Sequence, residues 1–191
     1  MRRKIERIIE HECKVKSFVK GTFDEKRILV DLDKICSKTS SNQTLKGLLF
    51  GVKDIINVDG YPTRCGSSLP HELFKGFQAS CVSKLLNAGA IFAGKTVTAE
   101  FAVSDPGETR NPRNLSHTPG GSSSGSGASV AAGFCDIAIG TQTSGSVIRP
   151  AGYCGVIGYK PSFGRISRDG VLLFSNSMDH IGICVKDLNL L

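Results

Sequence analysis

The chain has 191 residues, 40% of them apolar and 21% charged, with a formal net charge of +7 and a mean hydropathy of −0.03. That is enough for one ordinary domain with a sizeable core. It contains no apolar run of the roughly 18 residues a membrane span needs, and Met1-Arg2-Arg3-Lys4 leads into charges rather than an apolar leader; the expectation is a cytoplasmic protein that neither crosses nor joins a membrane.

Residues 2–20 set Ile5, Ile8, Ile9, Val15 and Val19 among charges, the spacing of an amphipathic helix. A weaker helical stretch covers 24–37, and the polar run from Ser37 to Asn42 reads as a linker. The first 50 residues hold 12 Lys and Arg against 7 Asp and Glu, so most of the positive charge sits on this N-terminal stretch. A solvated helical arm explains that charge, and with only 7% aromatic residues nucleic acid is not expected as a partner.

Beyond the linker the texture changes. Leu48 to Val52 is a short apolar run ending on Lys53, followed by Ile55-Ile56-Asn57-Val58: a buried strand pair, or a strand and a turn. Ser80 to Ala88 predicts a helix with Val82, Leu85 and Leu86 on one face, stopped by Gly89. Ala90 to Ala93 reads as a buried strand, 105–121 as a loop rich in Pro, Asn and Gly, Ala128 to Ala132 as a small-residue helix, and Ile137 to Ile139 as another strand. Helix, tight glycine turn and apolar strand in succession indicate α/β architecture: a mixed sheet flanked by helices. Residues 1–45 form the arm and linker in this reading, and 46–191 the core.

Glycine is the compositional outlier, at 22 residues, and 14 of the 27 residues from Gly120 to Ser146 are Gly or Ser. The seven cysteines are never closer than 16 positions, which gives no zinc or redox motif and fits reduced thiols; no metal and no cofactor is expected.

Several short patterns take their meaning from context. Gly89 to Thr96 matches the phosphate-binding G-x-x-x-x-G-K-[ST] pattern, but that loop must follow a strand and open a helix, and here a helix precedes and the strand lies between the glycines. Gly121 to Gly125 matches the G-x-S-x-G elbow with Ser123 as nucleophile, yet a loop rather than a strand leads into it and His180 is the only later histidine. Ser17-Phe18-Val19-Lys20 matches S-x-x-K inside a charged helix, where chance suffices.

With four histidines, none placed as an obvious base, serine chemistry would need a lysine neutralised by burial. Lys53 ends an apolar run and is the candidate; a surface lysine at a strand end is the plainer reading of the same residues. Strand alternation turns the adjacent Asp54 to the other face. Gly140-Thr-Gln-Thr-Ser-Gly-Ser146 lacks the side chains of a strand or helix core, and its small residues let backbone amides approach a bound group, as an oxyanion hole requires; a flexible linker is the alternative.

Five ordered blocks then resemble the amidase signature family: Gly51-Val-Lys-Asp54, Gly89 to Phe101, Gly120-Gly-Ser-Ser-Ser-Gly-Ser126, Gly140 to Ala151, and Gly158 to Arg165. The resemblance covers roughly 46–191. It implies an amidase signature fold, apparently truncated, whose later half is missing, so that an exposed apolar face is expected, covered by that half or by an oligomer. It implies amide hydrolysis through a serine acyl-enzyme, with Lys53 as base, Ser122 as bridging serine preceded by a cis peptide bond, and Ser146 as nucleophile. The backbone N–H groups of Thr143, Ser144, Gly145 and Ser146 would form the oxyanion hole. Ser144 stands where many members have Gly, at a cost if its backbone is left-handed. The substrate would be a small-molecule amide. Thr-Gln-Thr-Ser-Gly-Ser-Val-Ile-Arg-Pro is more similar to the generic amidases than to the glutamine-hydrolysing component of the tRNA-dependent amidotransferase, which ranks second. A catalytically silent fragment or binding remnant is the reading from another class.

Overall fold

The computed structural model describes residues 1–37 and 43–191. Three strands of small and apolar residues form its centre: β1 (Leu49–Lys53), β2 (Ile91–Thr96) and β3 (Ile137–Gln142), every residue of each being buried. Strands buried on both faces need no polar alternation, which is why they read as continuous runs. β1 lies between β2 and β3, parallel to both. β5 (His180–Val185) then pairs antiparallel with β3, and β4 (Ile157–Tyr159) antiparallel with β5, giving the order β2-β1-β3-β5-β4.

Helices cover the two faces. On one, Ile5 and Ile8 of α1 (Arg2–Val15), Ile28 of α2 (Glu25–Ser37), Val130 of α4 (Ser124–Ala131) and Cys154 of α5 (Ile148–Cys154) join Leu49, Ile91 and Ala138 in one cluster. On the other, Val82 of α3 (Ser80–Asn87) packs with Phe50, Val52, Ile139 and Ile181, beside Ile55 and Ile56. The expected mixed sheet with flanking helices is therefore observed.

Several local expectations change. The first helix ends at Val15, where Lys16 takes a left-handed conformation (φ 53°), and the next residues run extended beside β2: Val97 N–H donates to Ser17 O (2.9 Å) and Val19 N–H to Lys95 O (2.8 Å). The N-terminal stretch is thus solvated on one side only. Its charges face water while Ile5 and Ile8, 2% and 0% exposed, enter the sheet's own cluster. Lys4 also pairs with Asp136, whose other oxygen accepts the Leu49 N–H (2.9 Å). Residues 38–42 of the expected linker lie outside the described residues. In α3, Leu86 is 37% exposed and does not share the buried face of Val82. Of the two readings left open for residues 48–58, the strand and turn is the one observed: Lys53 leads into a turn.

The third strand runs to Gln142, three residues beyond its apolar stretch. Gly140 lets it continue without packing side chains: a Cβ there would lie 2.6 Å from Ser123 Oγ and 3.2 Å from a Val147 methyl. Helix α4 is equally close to the edge of the sheet. A Cβ at Gly125 would sit 2.3 Å from Ser17 O and 2.4 Å from Val97 N. Residues 187–191 form a short 3₁₀ turn, Leu188–Leu190, with the Asp187 side chain accepting the Asn189 N–H. Phe163, Phe174 and Met178 are each more than half exposed, and Tyr159 on β4 is 44% exposed.

The lysine of the phosphate-loop pattern has a structural partner. Lys95 Nζ lies 2.8 Å from Asp54 Oδ1, with both side chains essentially inaccessible, and donates to Thr63 Oγ1 (3.0 Å). Asp54 Oδ2 accepts the Arg64 N–H (3.2 Å). Burial pushes the Asp54 carboxyl up and the Lys95 amine down, and the mutual attraction opposes both shifts. Removing one partner of such a pair strands the other charge, at about 3–5 kcal/mol. Lys95→Met should lower the unfolding free energy by about that amount, read from the denaturant midpoint, while Lys95→Met with Asp54→Leu should recover most of it.

Candidate active site

Lys53 closes β1 with its side chain fully buried. Its Nζ lies 2.7 Å from Ser122 Oγ, 2.8 Å from Thr141 Oγ1 and 3.5 Å from Thr141 O. Thr141 is there because β3, parallel to β1, runs past Gly140. Strand alternation sends Asp54 to Lys95 on the opposite side, as its sequence position suggests. Burial lowers the Lys53 pKa from 10.5 to about 7, an effect partly offset by the Asp179 carboxylate. Cys184 also faces Lys53, but its buried thiol is pushed up to about 12 and is uncharged near neutrality. Lys53 Nζ donates to the Thr141 hydroxyl and carbonyl, and once the amine is neutral its lone pair can accept from the Ser122 hydroxyl at the same 2.7 Å contact.

Ser122 follows a cis Gly121–Ser122 bond and is 1% exposed. Its carbonyl accepts the Ala99 N–H (3.0 Å), and the Gly121 carbonyl accepts from Arg149 Nε (2.8 Å). The next residue joins the two serine-rich segments: Ser123 N–H donates to Ser146 O (3.1 Å) and Ser123 Oγ donates to Thr141 O (3.1 Å). Ser123 is wholly buried and its hydroxyl is engaged, so it is not an exposed elbow nucleophile. Deeper in α4, Ser126 Oγ donates to Ile139 O (3.0 Å), which anchors the helix to β3. Ser17 of the S-x-x-K pattern donates to Glu12 Oε2 (2.8 Å), and His180 Nδ1 lies 2.6 Å from Met178 O.

Ser146 is 6% exposed and opens the turn into α5. The Gln142 side chain shapes that turn, its Oε1 accepting Val147 N–H (2.9 Å) and Ile148 N–H (3.0 Å). The four preceding amides, of Thr143, Ser144, Gly145 and Ser146, donate to no group among the described residues. Ser144 keeps its φ outside the left-handed region, so replacing the family's glycine brings no backbone strain. A cavity of about 430 Å³ opens beside the Gly120–Gly121 loop and is lined in part by Ala99, Val103, Pro106 and Arg149; Ser146 and Lys53 do not line it.

The structure thus puts Lys53 against Ser122 directly and brings the Ser122 and Ser146 segments together through the Ser123 backbone. Sequence reasoning missed the residues that hold these parts: Thr141, Ser123, Gln142, Arg149 and Asp179. The Asp179 carboxylate accepts Thr143 Oγ1 at one oxygen and the N–H groups of Phe174 (2.6 Å) and Ser175 (2.9 Å) at the other.

The Amidase family profile matches residues 1–191, the N-terminal helices included. A glutamyl-tRNA(Gln) amidotransferase component from Salinibacter ruber is 46% identical over 144 residues, 72% of this chain and 28% of that one. The crystal structure of a peptide amidase from Stenotrophomonas maltophilia superposes with a TM-score of 0.86 at 33% identity, covering 96% of this chain and 40% of that one. The corresponding glutamyl-tRNA(Gln) amidotransferase component from Thermotoga maritima gives 0.82 at 34% identity, covering 97% and 40%. The chain spans well under half the length of each. In the described residues no helix is long and apolar enough to cross a membrane. With its profile match over the whole length and its sheet shared with solved amidases, the chain belongs to the amidase signature family.

Proposed function

We propose that this chain carries the catalytic triad of an amidase, with Ser146 as nucleophile, Ser122 as relay and Lys53 as base. The observation that carries this reading is the fully buried Lys53 amine, 2.7 Å from Ser122 Oγ and held by Thr141. In the reaction the Ser146 hydroxyl gives its proton to Ser122 as Ser122 gives its own to the neutral Lys53 amine, and the Ser146 oxygen adds to the amide carbonyl. The resulting oxyanion accepts from the unengaged amides of Thr143 to Ser146. One such donor is typically worth about 3–4 kcal/mol. The proton returns through Ser122 to the departing nitrogen, the C–N bond breaks, and water releases the acid from the Ser146 ester by the same relay.

The test is a serine-directed fluorophosphonate probe together with ammonia release from simple primary amides. Labelling should fall on Ser146, and Ser146→Ala should abolish both labelling and turnover. An unlabelled but cooperatively folded parent chain would favour the catalytically silent fragment.

The Lys53 pKa sets the pH dependence. Lys53 is a base only when neutral, and its pKa is lowered to about 7, so the labelling rate should rise with pH through about 7 and level off above it. Lys53→Met should lose this limb along with most of the rate.

A second reading has support from the curated relatives, several of which are glutamyl-tRNA(Gln) amidotransferase components. In that case the amide is glutamine and the ammonia passes to a partner. Glutamine hydrolysis at a rate well above that of propionamide, rising when the other amidotransferase components are added, would select this reading. Equal rates, or a preference for other amides, would select a generic amidase.

A further inference from the structure

We propose that Asp179 is a positioning residue for the oxyanion loop, holding the Thr143 N–H toward the substrate oxygen through the Thr143 hydroxyl. The proposal rests on the triad reading above.

The ladder between β3 and β5 ends at the pair Gln142–His180, so Thr143 and Asp179 are the next residues opposite one another. Beyond that point main-chain pairing stops: the Thr143 N–H donates to nothing among the described residues, and a side-chain bond from Thr143 Oγ1 to Asp179 Oδ1 takes over. Thr143 therefore leaves the sheet with its amide unengaged but its side chain tethered. The tether is itself fixed. Asp179 is 4% exposed, its second oxygen accepts the backbone N–H groups of Phe174 and Ser175, and its carbonyl accepts Arg168 Nη1 (3.3 Å). On the other side of the loop the Gln142 side chain caps the turn into α5. An oxyanion donor works by being aimed before the charge develops, so a loop of Thr, Ser and Gly needs such outside bracing.

The same carboxylate acts through space on the buried Lys53 amine and opposes its neutralisation. Of the other groups around Lys53, Cys184 on β5 is uncharged near neutrality and Asp54 is taken by Lys95. The two roles of Asp179 separate by mutation. Thr143→Val keeps shape and charge and loses the bond. Asp179→Asn removes the charge while its amide can still donate to Thr143 Oγ1 and its oxygen still accept the two backbone N–H groups.

The experiment measures the second-order rate of Ser146 phosphonylation by the fluorophosphonate probe on the whole chain, with thermal melts run in parallel. Thr143→Val should cut the rate on the order of tenfold at every pH from 6 to 8. Thr143→Ser should restore most of it at a similar melting temperature. Asp179→Asn should label relatively better at low pH, its ratio to the parent rising about twofold or more between pH 8 and pH 6 as the amine is neutralised sooner. Thr143→Val within about twofold of the parent, or Thr143→Ser as slow as Thr143→Val, overturns the positioning role. A flat Asp179→Asn ratio overturns the through-space effect of the Asp179 charge on Lys53. Absence of labelling in the parent removes the triad reading instead, a different result from either.

Discussion

The site depends on keeping one amine out of water. A lysine at the end of a strand ordinarily extends into solvent and stays charged, since burying an unpaired ammonium is far more costly than neutralising it. Lys53 has no acid in contact, unlike Lys95 on the neighbouring strand, which keeps Asp54 beside it. The two lysines are equally buried and sit on adjacent parallel strands, so the difference lies in their partners. One is held as half of an ion pair and serves the fold. The other meets only hydroxyls and a carbonyl, which carry no charge to hold the ammonium against the cost of burial, and so can exchange a proton near pH 7.

The rest of the site follows from supplying those hydroxyls. Thr141 has to lie on a strand that carries on past its apolar stretch, and Gly140 permits this by leaving room for the Ser123 side chain and for Val147. Ser122 has to reach the amine from the loop before α4, and that loop is held from three sides by Ala99, Arg149 and the Ser146 carbonyl. The small residues that dominate 120–146 are therefore close-packed with backbone and short hydroxyl side chains in place of an apolar core.

Much of this was legible. The central strands announced themselves as apolar runs, Lys53 by ending one of them, and the serine loops by an excess of Gly and Ser too concentrated for a linker. What stayed hidden did so for physical reasons. β4 and β5 are short or interrupted by glycine, and only the pairing of β5 with β3 and of β4 with β5 makes them strands. Thr141 and Gln142 read as loop because a strand packed against serine hydroxyls lacks the usual apolar signal. Asp179 is a lone acid in a loop, and nothing near it in the chain reveals that it meets Thr143, 36 positions earlier. The N-terminal helices read as a separate solvated arm because charge dominates their composition, whereas the isoleucines three apart are what tie them to the sheet.

That last attachment bears on the outer edge of the sheet. β2 is the outer parallel strand, fully buried, and it would offer a row of open main-chain groups to any other extended segment. Residues 17–19 occupy part of that row, with Ser17 O taking the Val97 N–H and Val19 N–H meeting Lys95 O, while Phe18 stacks on Phe134 beneath. The basic N-terminal stretch therefore closes with its own backbone part of the sheet edge that β2 would otherwise leave unpaired.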